Sequence, residues 1–295
     1  MRVLVTGCKG FVGHWLIAHL ESSGDEVIGI DAEVDITDPS AITETIVAIG
    51  PEAICHLAAQ ASVGTSWDYQ AATYQVNTFG VINVLEGAAR CTSRPRVLLI
   101  SSAEVYGQVS PDQLPVPEEH PFAPMSPYAA SKAAAELVGL QAWLGTGLEV
   151  IRVRPFNHTG PGQGPNFVVP SLARQIAEAA AARSESLVTG NLEAKRDLTD
   201  VRDVVRSYRS LLVSGAPGEV YNVCRGESVS IREVAERLLA LAGVDVPIQV
   251  DPARMRPSEI PDLRGDPRRL HAATGWAPEI PLEQTLRDVL AYWQR

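Results

Sequence analysis

The sequence predicts an α/β fold in which a doubly wound parallel sheet is joined to a smaller, mixed α/β lobe at the C-terminal end. Three observations predict this fold. Short, nearly continuous apolar segments recur before residue 155, segments with helical spacing of apolar residues separate them, and Gly and Pro become frequent directly after Arg154. Strands buried on both faces of a parallel sheet are apolar throughout, and helices connect them.

The predicted elements follow in order along the chain. Strands of the sheet are expected at residues 2–6, 26–30, 52–58, 96–102 and 148–154, and helices between them at 11–24, 39–49, 72–89 and 127–144. After a predicted loop at 155–167, helices are expected near 170–182, 200–214, 230–242 and 281–293, and strands near 219–223 and 246–250. We expect the sheet domain to comprise residues 1–155 and about 199–225, and the smaller lobe about 156–198 and 226–295.

The charge balance restricts the kinds of partner. The 295 residues include 35 acidic side chains and 25 Lys or Arg side chains, which leaves a formal net charge of −10. No basic run exceeds two residues, so the composition argues against a nucleic-acid partner and against an anionic membrane surface. A phosphorylated small molecule stays compatible, because a few local Arg side chains suffice to bind it.

The cysteine pattern and the N-terminal segment predict the compartment. The four cysteines are far apart and form no CxxC pair; they are Cys8, Cys55, Cys91 and Cys224. Such thiols fit a reducing cytoplasm better than a disulfide framework. A strand predicted from Arg2 leaves no room for a signal peptide, and no apolar run approaches the length of a membrane span. No His, Cys or Asp cluster has metal-ligand spacing, so no metal is predicted.

A glycine-rich turn lies between the first predicted strand and the first predicted helix. In TGCKGFVG, Gly7, Gly10 and Gly13 have GxxGxxG spacing. Glycine at these positions permits a tight turn and the close approach of a diphosphate, and the helix N-terminus supplies free N–H groups. The alternative is a plain tight turn, but the strand–turn–helix context predicts the nucleotide-binding turn of a Rossmann domain.

An acidic residue follows the second strand. Asp31 is placed to accept hydrogen bonds from both hydroxyls of an adenosine ribose and to repel a 2′-phosphate. The next residue is Ala32 rather than Arg, so NAD(H) is the preferred cofactor and NADP(H) a possible one. Asp35 and Ile36 are placed to meet the adenine edge. The alternative for Asp31 is a helix-capping or loop residue.

A Tyr–Lys pair predicts acid–base chemistry. In SPYAASK, Tyr128 and Lys132 are four residues apart and therefore share one face of a helix. A phenol of ordinary pKa is a poor catalyst at neutral pH, and a nearby ammonium favours its ionised form. Ser102, after the fourth strand, is positioned to bind the same substrate oxygen. An isolated YxxxK motif is also common on ordinary surface helices, so the prediction depends on the accompanying turn and Ser102.

Taken in order, GCKGFVG, HLAAQ, VNTFG, SSAEVYG and SPYAASK resemble the extended short-chain dehydrogenase/reductase family over essentially the whole chain. The resemblance implies a bound nicotinamide cofactor, a Ser–Tyr–Lys active site and nucleotide-sugar substrates. It implies that Asn77 supports the active site and that the helices near 75–90 and 127–144 form a homodimer interface; the alternative is a monomer surface. Besides the residues above, it places Phe11, Val12, Leu57, Ala58, Ala59 and Pro155 against the cofactor.

Three later segments, at 154–179, 190–203 and 256–266, resemble a narrower group. They are most similar to GDP-4-dehydro-6-deoxy-D-mannose reductases and next to GDP-mannose 4,6-dehydratases. The resemblance implies that Asn157 contacts the sugar diphosphate, that Arg196 and Arg256 bind phosphates, and that Glu259 binds the guanosine ribose; Val168 also belongs to the substrate site. Arg forks suit a diphosphate. The alternatives are an ion pair of Arg196 with Asp197, Asp200 or Asp203, and a surface salt bridge of Arg256.

Glu104 separates the chemistries that this scaffold supports. A dehydratase needs a base at C5 and an acid for the departing C6 hydroxyl, whereas a reductase needs neither. Glu104 stands where dehydratases have their base, but Ala103 stands where they have Asp or Ser. We therefore expect reduction of a 4-keto sugar by NAD(P)H with Tyr128 as proton donor. A dehydratase, a 4-epimerase and a non-catalytic dinucleotide-binding regulator are the alternatives.

Overall fold

The computed structural model describes residues 1–182, 184–255 and 260–295. Its strands are β1 (Arg2–Thr6), β2 (Glu26–Ile30), β3 (Ala53–His56), β4 (Arg96–Ile100), β5 (Val150–Pro155), β6 (Asn157–Thr159), β7 (Leu187–Thr189), β8 (Lys195–Arg196), β9 (Leu198–Asp200), β10 (Val220–Val223), β11 (Val229–Ser230), β12 (Ile248–Val250) and β13 (Asp262–Leu263).

The α-helices are α1 (Phe11–Ser22), α2 (Pro39–Ile49), α3 (Val63–Asp68), α4 (Gln70–Tyr74), α5 (Gly80–Arg90), α6 (Pro127–Thr146), α7 (Val168–Ala180), α8 (Val201–Ser214), α9 (Ile231–Ala242), α10 (Arg268–Thr274) and α11 (Leu282–Trp293). A π-helical turn covers Gln75–Phe79, and short 3₁₀ turns cover Ala103–Tyr106, Pro111–Gln113 and Pro252–Arg254.

The main sheet has six parallel strands in the order β10-β5-β4-β3-β1-β2. From β1 the chain turns first to β2 on one side and then to β3 on the other. The two connections diverge above Thr6 and His56, which are partners in neighbouring strands. Such a switch point, at the carboxyl ends of the strands, leaves a crevice in which ligands bind.

Both faces of the sheet are covered, which explains the continuous apolar strands. Val3, Val5 and Leu98 pack with α1 and α8 on one face, whereas Leu4 and Leu99 pack with α2, α5 and α6 on the other. A separate apolar core joins α7, α9 and α11 beside β7. The prediction of a doubly wound parallel sheet with a mixed α/β lobe is confirmed.

Three details differ from the expectations. The helix expected at 72–89 is a succession of α4, the π-helical turn and α5. The segment 155–167 is not entirely loop, because β6 pairs with β9. The paired segments β8, β11 and β13 were not expected, since strands of two residues have no detectable alternation. Within the described residues, no helix combines the length and apolar character needed to cross a bilayer.

Candidate active site

The glycine-rich turn is closed by direct contact between backbones. Gly7 has a φ of +70°, and a Cβ there would lie 2.8 Å from the backbone nitrogen of Ala58. A Cβ on Gly13 would lie 2.4 Å from the carbonyl oxygen of Gly7. Because α1 begins at Phe11 directly behind this turn, its first N–H groups have no partner within the helix. The turn is therefore a cradle of the size and polarity that fit a diphosphate.

Asp31 joins the turn to the end of β2. Its two carboxylate oxygens accept hydrogen bonds from the backbone N–H groups of Lys9 (2.8 Å) and Ala32 (3.0 Å). A carboxylate has about four acceptor positions, so capacity for two ribose hydroxyls remains. The alternative of a helix-capping role is wrong for this residue, because Asp38 caps the following helix α2.

The predicted adenine contacts lie side by side but differ in their surroundings. The Asp35 carboxylate accepts hydrogen bonds from the backbone N–H and the hydroxyl of Thr37, both at 2.8 Å. Ile36 is buried, and its carbonyl accepts a hydrogen bond from the Asn83 amide. Both residues line the same cleft as the glycine-rich turn.

This cleft runs from the glycine-rich turn across the carboxyl edge of the sheet to the smaller lobe, and its volume is about 1440 Å³. That volume exceeds a typical pocket for one small ligand, and it suits a dinucleotide and a nucleotide-sugar together. The predicted site residues that line it are Gly7, Gly10, Phe11, Val12, Gly13, Asp31, Asp35, Ile36, Leu57, Ala58, Ala59, Ser102, Glu104, Tyr128, Pro155, Asn157, Val168 and Arg196. Arg256 and Glu259 lie outside the described residues.

Tyr128 stands in the first turn of α6 and faces the cleft. The Ser126 hydroxyl caps this helix by accepting from the N–H of Ala129, and the Ser66 hydroxyl accepts from the N–H of Tyr128. Burial raises the pKa of Tyr128 to about 12; a hydrogen bond with Ser102 opposes the rise, and the charge of Glu104 adds to it. The phenol is therefore fully protonated at neutral pH.

Lys132 lies one turn further along α6, behind the cleft wall. Its side chain is almost fully buried, and its ammonium donates a hydrogen bond of 2.8 Å to the carbonyl of Ile100. Burial lowers the pKa of Lys132 to about 8. A charged form that is this poorly solvated attracts any anion or polar oxygen brought within its reach.

The side chain of Asn77 joins the loop after β3 to helix α6. It lies in the π-helical turn, where its amide donates to the carbonyl of Gln60 (3.1 Å) and to the hydroxyl of Ser131 (3.0 Å). Its oxygen accepts from the N–H of Gln60 at 2.8 Å. Ser131 in turn donates to the carbonyl of Tyr128. A π-helical turn at such a position is typical of functional sites, and this one links the cofactor-lining loop to the Tyr128 helix.

Glu104 follows Ser102 in a 3₁₀ turn that Ser102 itself caps. The Ser102 hydroxyl accepts from the N–H of Glu104 at 3.2 Å. The Glu104 side chain is half-buried in the cleft wall, and among the described residues it has no hydrogen-bond partner for its carboxylate. Ala103, by contrast, is buried with Val105 and Tyr106 in a small apolar cluster. The position before Glu104 therefore offers no acid or proton relay.

A buried ion-pair network holds helix α6 against β5. Glu136, which is fully buried, accepts hydrogen bonds from Arg154 at 2.7–3.2 Å and from Arg152 at 3.4 Å. Arg154 also donates to the Tyr106 hydroxyl at 2.8 Å. The bonds to Glu136 raise the pKa of Arg154 against the effect of burial. The network fixes the helix that carries Tyr128 and Lys132 relative to the strand that ends at Pro155.

The described substrate-site candidates lie on the smaller-lobe side of the cleft. Asn157 is exposed in β6, and Val168 is the first residue of α7. The Arg196 guanidinium donates to the carbonyls of Lys195 and Ile260, both at 2.8 Å. The three acids considered as alternative partners have other printed contacts: Asp197 accepts from backbone N–H groups, and Asp200 and Asp203 pair with Arg202 and Arg206.

Two histidines beside the site did not enter the prediction. The His158 ring stacks on Phe11, and its Nδ1 donates to the carbonyl of Phe156 at 3.0 Å. His56, at the end of β3, shares a hydrogen bond of 2.8 Å with Thr6. Burial and the charge of Lys132 lower the pKa of His56 to about 3. Their only sequence signal is a position at or just beyond a strand end. Across residues 1–182, 184–255 and 260–295, no three His, Cys, Asp or Glu residues form a group suited to a metal.

The sheet, the glycine-rich cradle and the adjacent Ser102, Tyr128 and Lys132 define an extended short-chain dehydrogenase/reductase. Comparison with family models matches residues 32–289 to GDP-mannose 4,6 dehydratase. The chain is 40% identical over 296 residues to the GDP-6-deoxy-D-mannose reductase of Pseudomonas aeruginosa, covering 99% of this chain and 97% of that protein. It is 27% identical over 349 residues to the GDP-mannose 4,6-dehydratase of Yersinia enterocolitica, covering 98% and 93%.

Two solved structures share the fold over nearly the full length. RMD from Pseudomonas aeruginosa, complexed with NADPH, has a TM-score of 0.92 at 40% identity, with 99% of this chain and 98% of that chain covered. UDP-glucose 4-epimerase from Thermus thermophilus, complexed with NAD, has a TM-score of 0.89 at 29% identity, with 99% of both chains covered. The chain belongs to the GDP-mannose 4,6-dehydratase family, as its motifs predict.

Proposed function

We propose that this protein reduces the C4 ketone of a GDP-4-keto-6-deoxy-hexose with NAD(P)H. The observation that carries the proposal is the pairing of a protonated Tyr128 with a buried, apolar Ala103 beside Glu104. Reduction of a ketone needs a proton donor, whereas elimination of water also needs an acid at the leaving hydroxyl. The Pseudomonas aeruginosa relative, a GDP-6-deoxy-D-mannose reductase, supports the same reaction.

The chain's residues divide the work in the following way. When bound, the nicotinamide dinucleotide supplies the hydride for C4. Ser102 and Tyr128 hold the C4 oxygen between their hydroxyl groups, and Tyr128 transfers its proton to that oxygen. The nearby Lys132 ammonium then stabilises the phenolate until a proton returns, because an adjacent positive charge favours the ionised form. Burial of Lys132 strengthens this effect, since water screens the charge poorly there.

A dehydratase is the second candidate function, and Glu104 favours it. The carboxylate faces the cleft beside Tyr128 and is placed as a base for a C5 proton. In the proposed reductase it instead accepts a hydrogen bond from the sugar and keeps Tyr128 protonated. A 4-epimerase remains the third candidate, and a non-catalytic regulator the fourth.

The ligand contacts of the proposed site follow the two sides of the cleft. Residues 1–155 with about 199–225 bind the dinucleotide, and about 156–198 with 226–295 bind the nucleotide-sugar; the pairing of β10 with β5 supports this division. Asp31 binds the adenosine ribose and makes NAD(H) the preferred cofactor. Asn157, Val168, Arg196, Arg256 and Glu259 contact the GDP-sugar.

We further propose a homodimer in which α6 and the π-helical turn of one copy pack on those of a second. Large apolar side chains on this face are exposed: Phe79 by 52%, Leu137 by 53% and Leu144 by 73%. A second copy would cover all three, because a twofold interface repeats one patch on both subunits. The four cysteines are free and buried, which supports the reducing cytoplasm as the compartment.

Two incubations test the proposed reaction. GDP-mannose is supplied alone, and pre-made GDP-4-keto-6-deoxy-mannose is supplied with NADH; sugar products and NADH absorbance are followed in both. A reductase consumes NADH in proportion to the keto sugar and leaves GDP-mannose unchanged. A keto product from GDP-mannose without net NADH consumption would indicate the dehydratase, inversion at C4 the epimerase, and dinucleotide binding without turnover the regulator.

A further inference from the structure

Lys9 lies in the glycine-rich turn, at the adenosine end of the cleft. Its backbone N–H donates to Asp31, which ties the residue to the predicted ribose site. Its ammonium pairs with the Glu33 carboxylate at 2.9 Å, and the two side chains are 68% and 50% exposed. Lys9 lines the cleft together with Asp31 and Ala32. A mobile cation therefore stands beside the position that a ribose 2′-hydroxyl would take.

The neighbouring charges at this end of the cleft are negative. Asp31 and Glu33 lie on the loop that follows β2, and Glu33 also accepts the N–H of Asp31 at 2.9 Å. An exposed ion pair of this kind is weak, because water screens both charges. A phosphate dianion offers an ammonium more charge and more acceptor oxygens than one carboxylate does. Exchange of Glu33 for a phosphate at the Lys9 ammonium is therefore favourable.

We propose that Lys9 is a specificity-determining residue that binds the 2′-phosphate of an adenine dinucleotide, and that Glu33 competes with that phosphate for the Lys9 ammonium. The proposal rests on the proposed function, because it assumes that the adenosine ribose lies at Asp31. Asp31 still disfavours the phosphate, so NAD(H) stays preferred. Lys9 reduces this preference and Glu33 increases it.

The test measures binding of two probes, 5′-ADP and 2′,5′-ADP, by titration calorimetry at low ionic strength. For 2′,5′-ADP, Lys9→Met should weaken binding about tenfold and Glu33→Gln should strengthen it about five- to tenfold. Binding of 5′-ADP should change by less than about twofold in both. Glu26→Gln is the matched control, since Glu26 begins the same strand β2 at its opposite end and forms an exposed ion pair with Arg2; it should alter neither affinity.

The double variant separates competition for Lys9 from simple repulsion by Glu33. If the two act through one ammonium, Glu33→Gln should strengthen 2′,5′-ADP binding much less in a Lys9→Met background. An equal gain in both backgrounds, or an unchanged 2′,5′-ADP affinity in Lys9→Met, would overturn the inference while leaving the proposed function intact. Failure of the unmodified protein to bind 5′-ADP would overturn both, because no adenosine site would exist.

Discussion

The ammonium of Lys132 donates a hydrogen bond of 2.8 Å to the main-chain carbonyl of Ile100, the last residue of β4. One side chain thus connects the catalytic helix α6 to the strand that leads into Ser102. The bond persists only while Lys132 is protonated or keeps an N–H aimed at the carbonyl. The position of the helix and the charge behind Tyr128 therefore depend on the same buried group.

Activity should fall as pH rises above about 8, because the folded-state pKa of Lys132 is lowered to about 8 by burial. Its charged form is lost through that range, and a pH profile of kcat/KM for the free enzyme should show this alkaline limb. Stability should change in the opposite sense. Between about pH 8 and 10.5 the unfolded chain holds more protons, so unfolding free energy rises with pH.

Lys132→Met separates these two effects. Turnover should fall about 10²–10⁴-fold, whereas thermal stability at neutral pH should rise by the equivalent of about 1–3 kcal/mol, since the penalty for burying an ammonium disappears. The measurements are initial rates and the melting midpoint. Unchanged turnover in the folded variant would contradict the assignment of Lys132 to the site.

Tyr128→Phe removes the proposed proton donor while leaving the ring packed against its surroundings. Loss of general acid catalysis should lower turnover about 10²–10⁴-fold, and NADH binding should change little, which fluorescence titration would measure. Tyr69→Phe is a matched control, because Tyr69 is 63% exposed and lies outside the cleft. Turnover close to that of the control would show that another group donates the proton.

The parallel sheet was predictable because each strand is buried on both faces, and sequences such as RVLVT and RVLLI have no polar side to confuse with a helix. The cofactor side of the site was predictable for a related reason. Its residues lie at strand ends or in the first helical turns, so spacing along the chain determines where Gly7, Ser102 and Tyr128 meet.

The other features depend on contacts between distant segments. The Glu136 network joins α6, β5 and the turn at Tyr106, and no local pattern indicates that a charged residue in a helix is fully buried. Lys9 was passed over because its partner Glu33 lies 24 residues away. The π-helical turn around Asn77 likewise has ordinary helical spacing, and only its hydrogen bonds to Gln60 and Ser131 distinguish it.

Asp31→Ser should reduce the preference for NADH over NADPH by about 10- to 100-fold, since charge repulsion in a partly desolvated site is worth about 1–3 kcal/mol. Dissociation constants for both dinucleotides, measured by fluorescence titration, give the ratio directly. Ser retains an acceptor for one of the two backbone N–H groups that Asp31 binds. A preference for NADPH in the unmodified protein would contradict the role given to Asp31.

Glu136→Gln should destabilise the fold. The change leaves the buried guanidinium groups of Arg152 and Arg154 without a counter-charge, which typically costs about 3–5 kcal/mol. The melting midpoint should fall by about 6 °C or more. Glu283→Gln, which removes an exposed partner of Arg287, is the control and should shift the midpoint only slightly. A similar small shift in both variants would mean that the buried pair contributes little.

Glu104→Gln tests which reaction the site performs. A reductase breaks no C–H bond at C5, so the nearly isosteric amide should cost it roughly tenfold or less in turnover, about the value of one weakened hydrogen bond. A dehydratase would lose its general base and about 10²–10⁴ in rate. The decisive measurement is solvent deuterium at C5 of product formed from GDP-mannose. Its incorporation by the unmodified protein and loss in Glu104→Gln would overturn the proposed reduction, whereas stoichiometric NADH oxidation with the keto sugar in both proteins would support it.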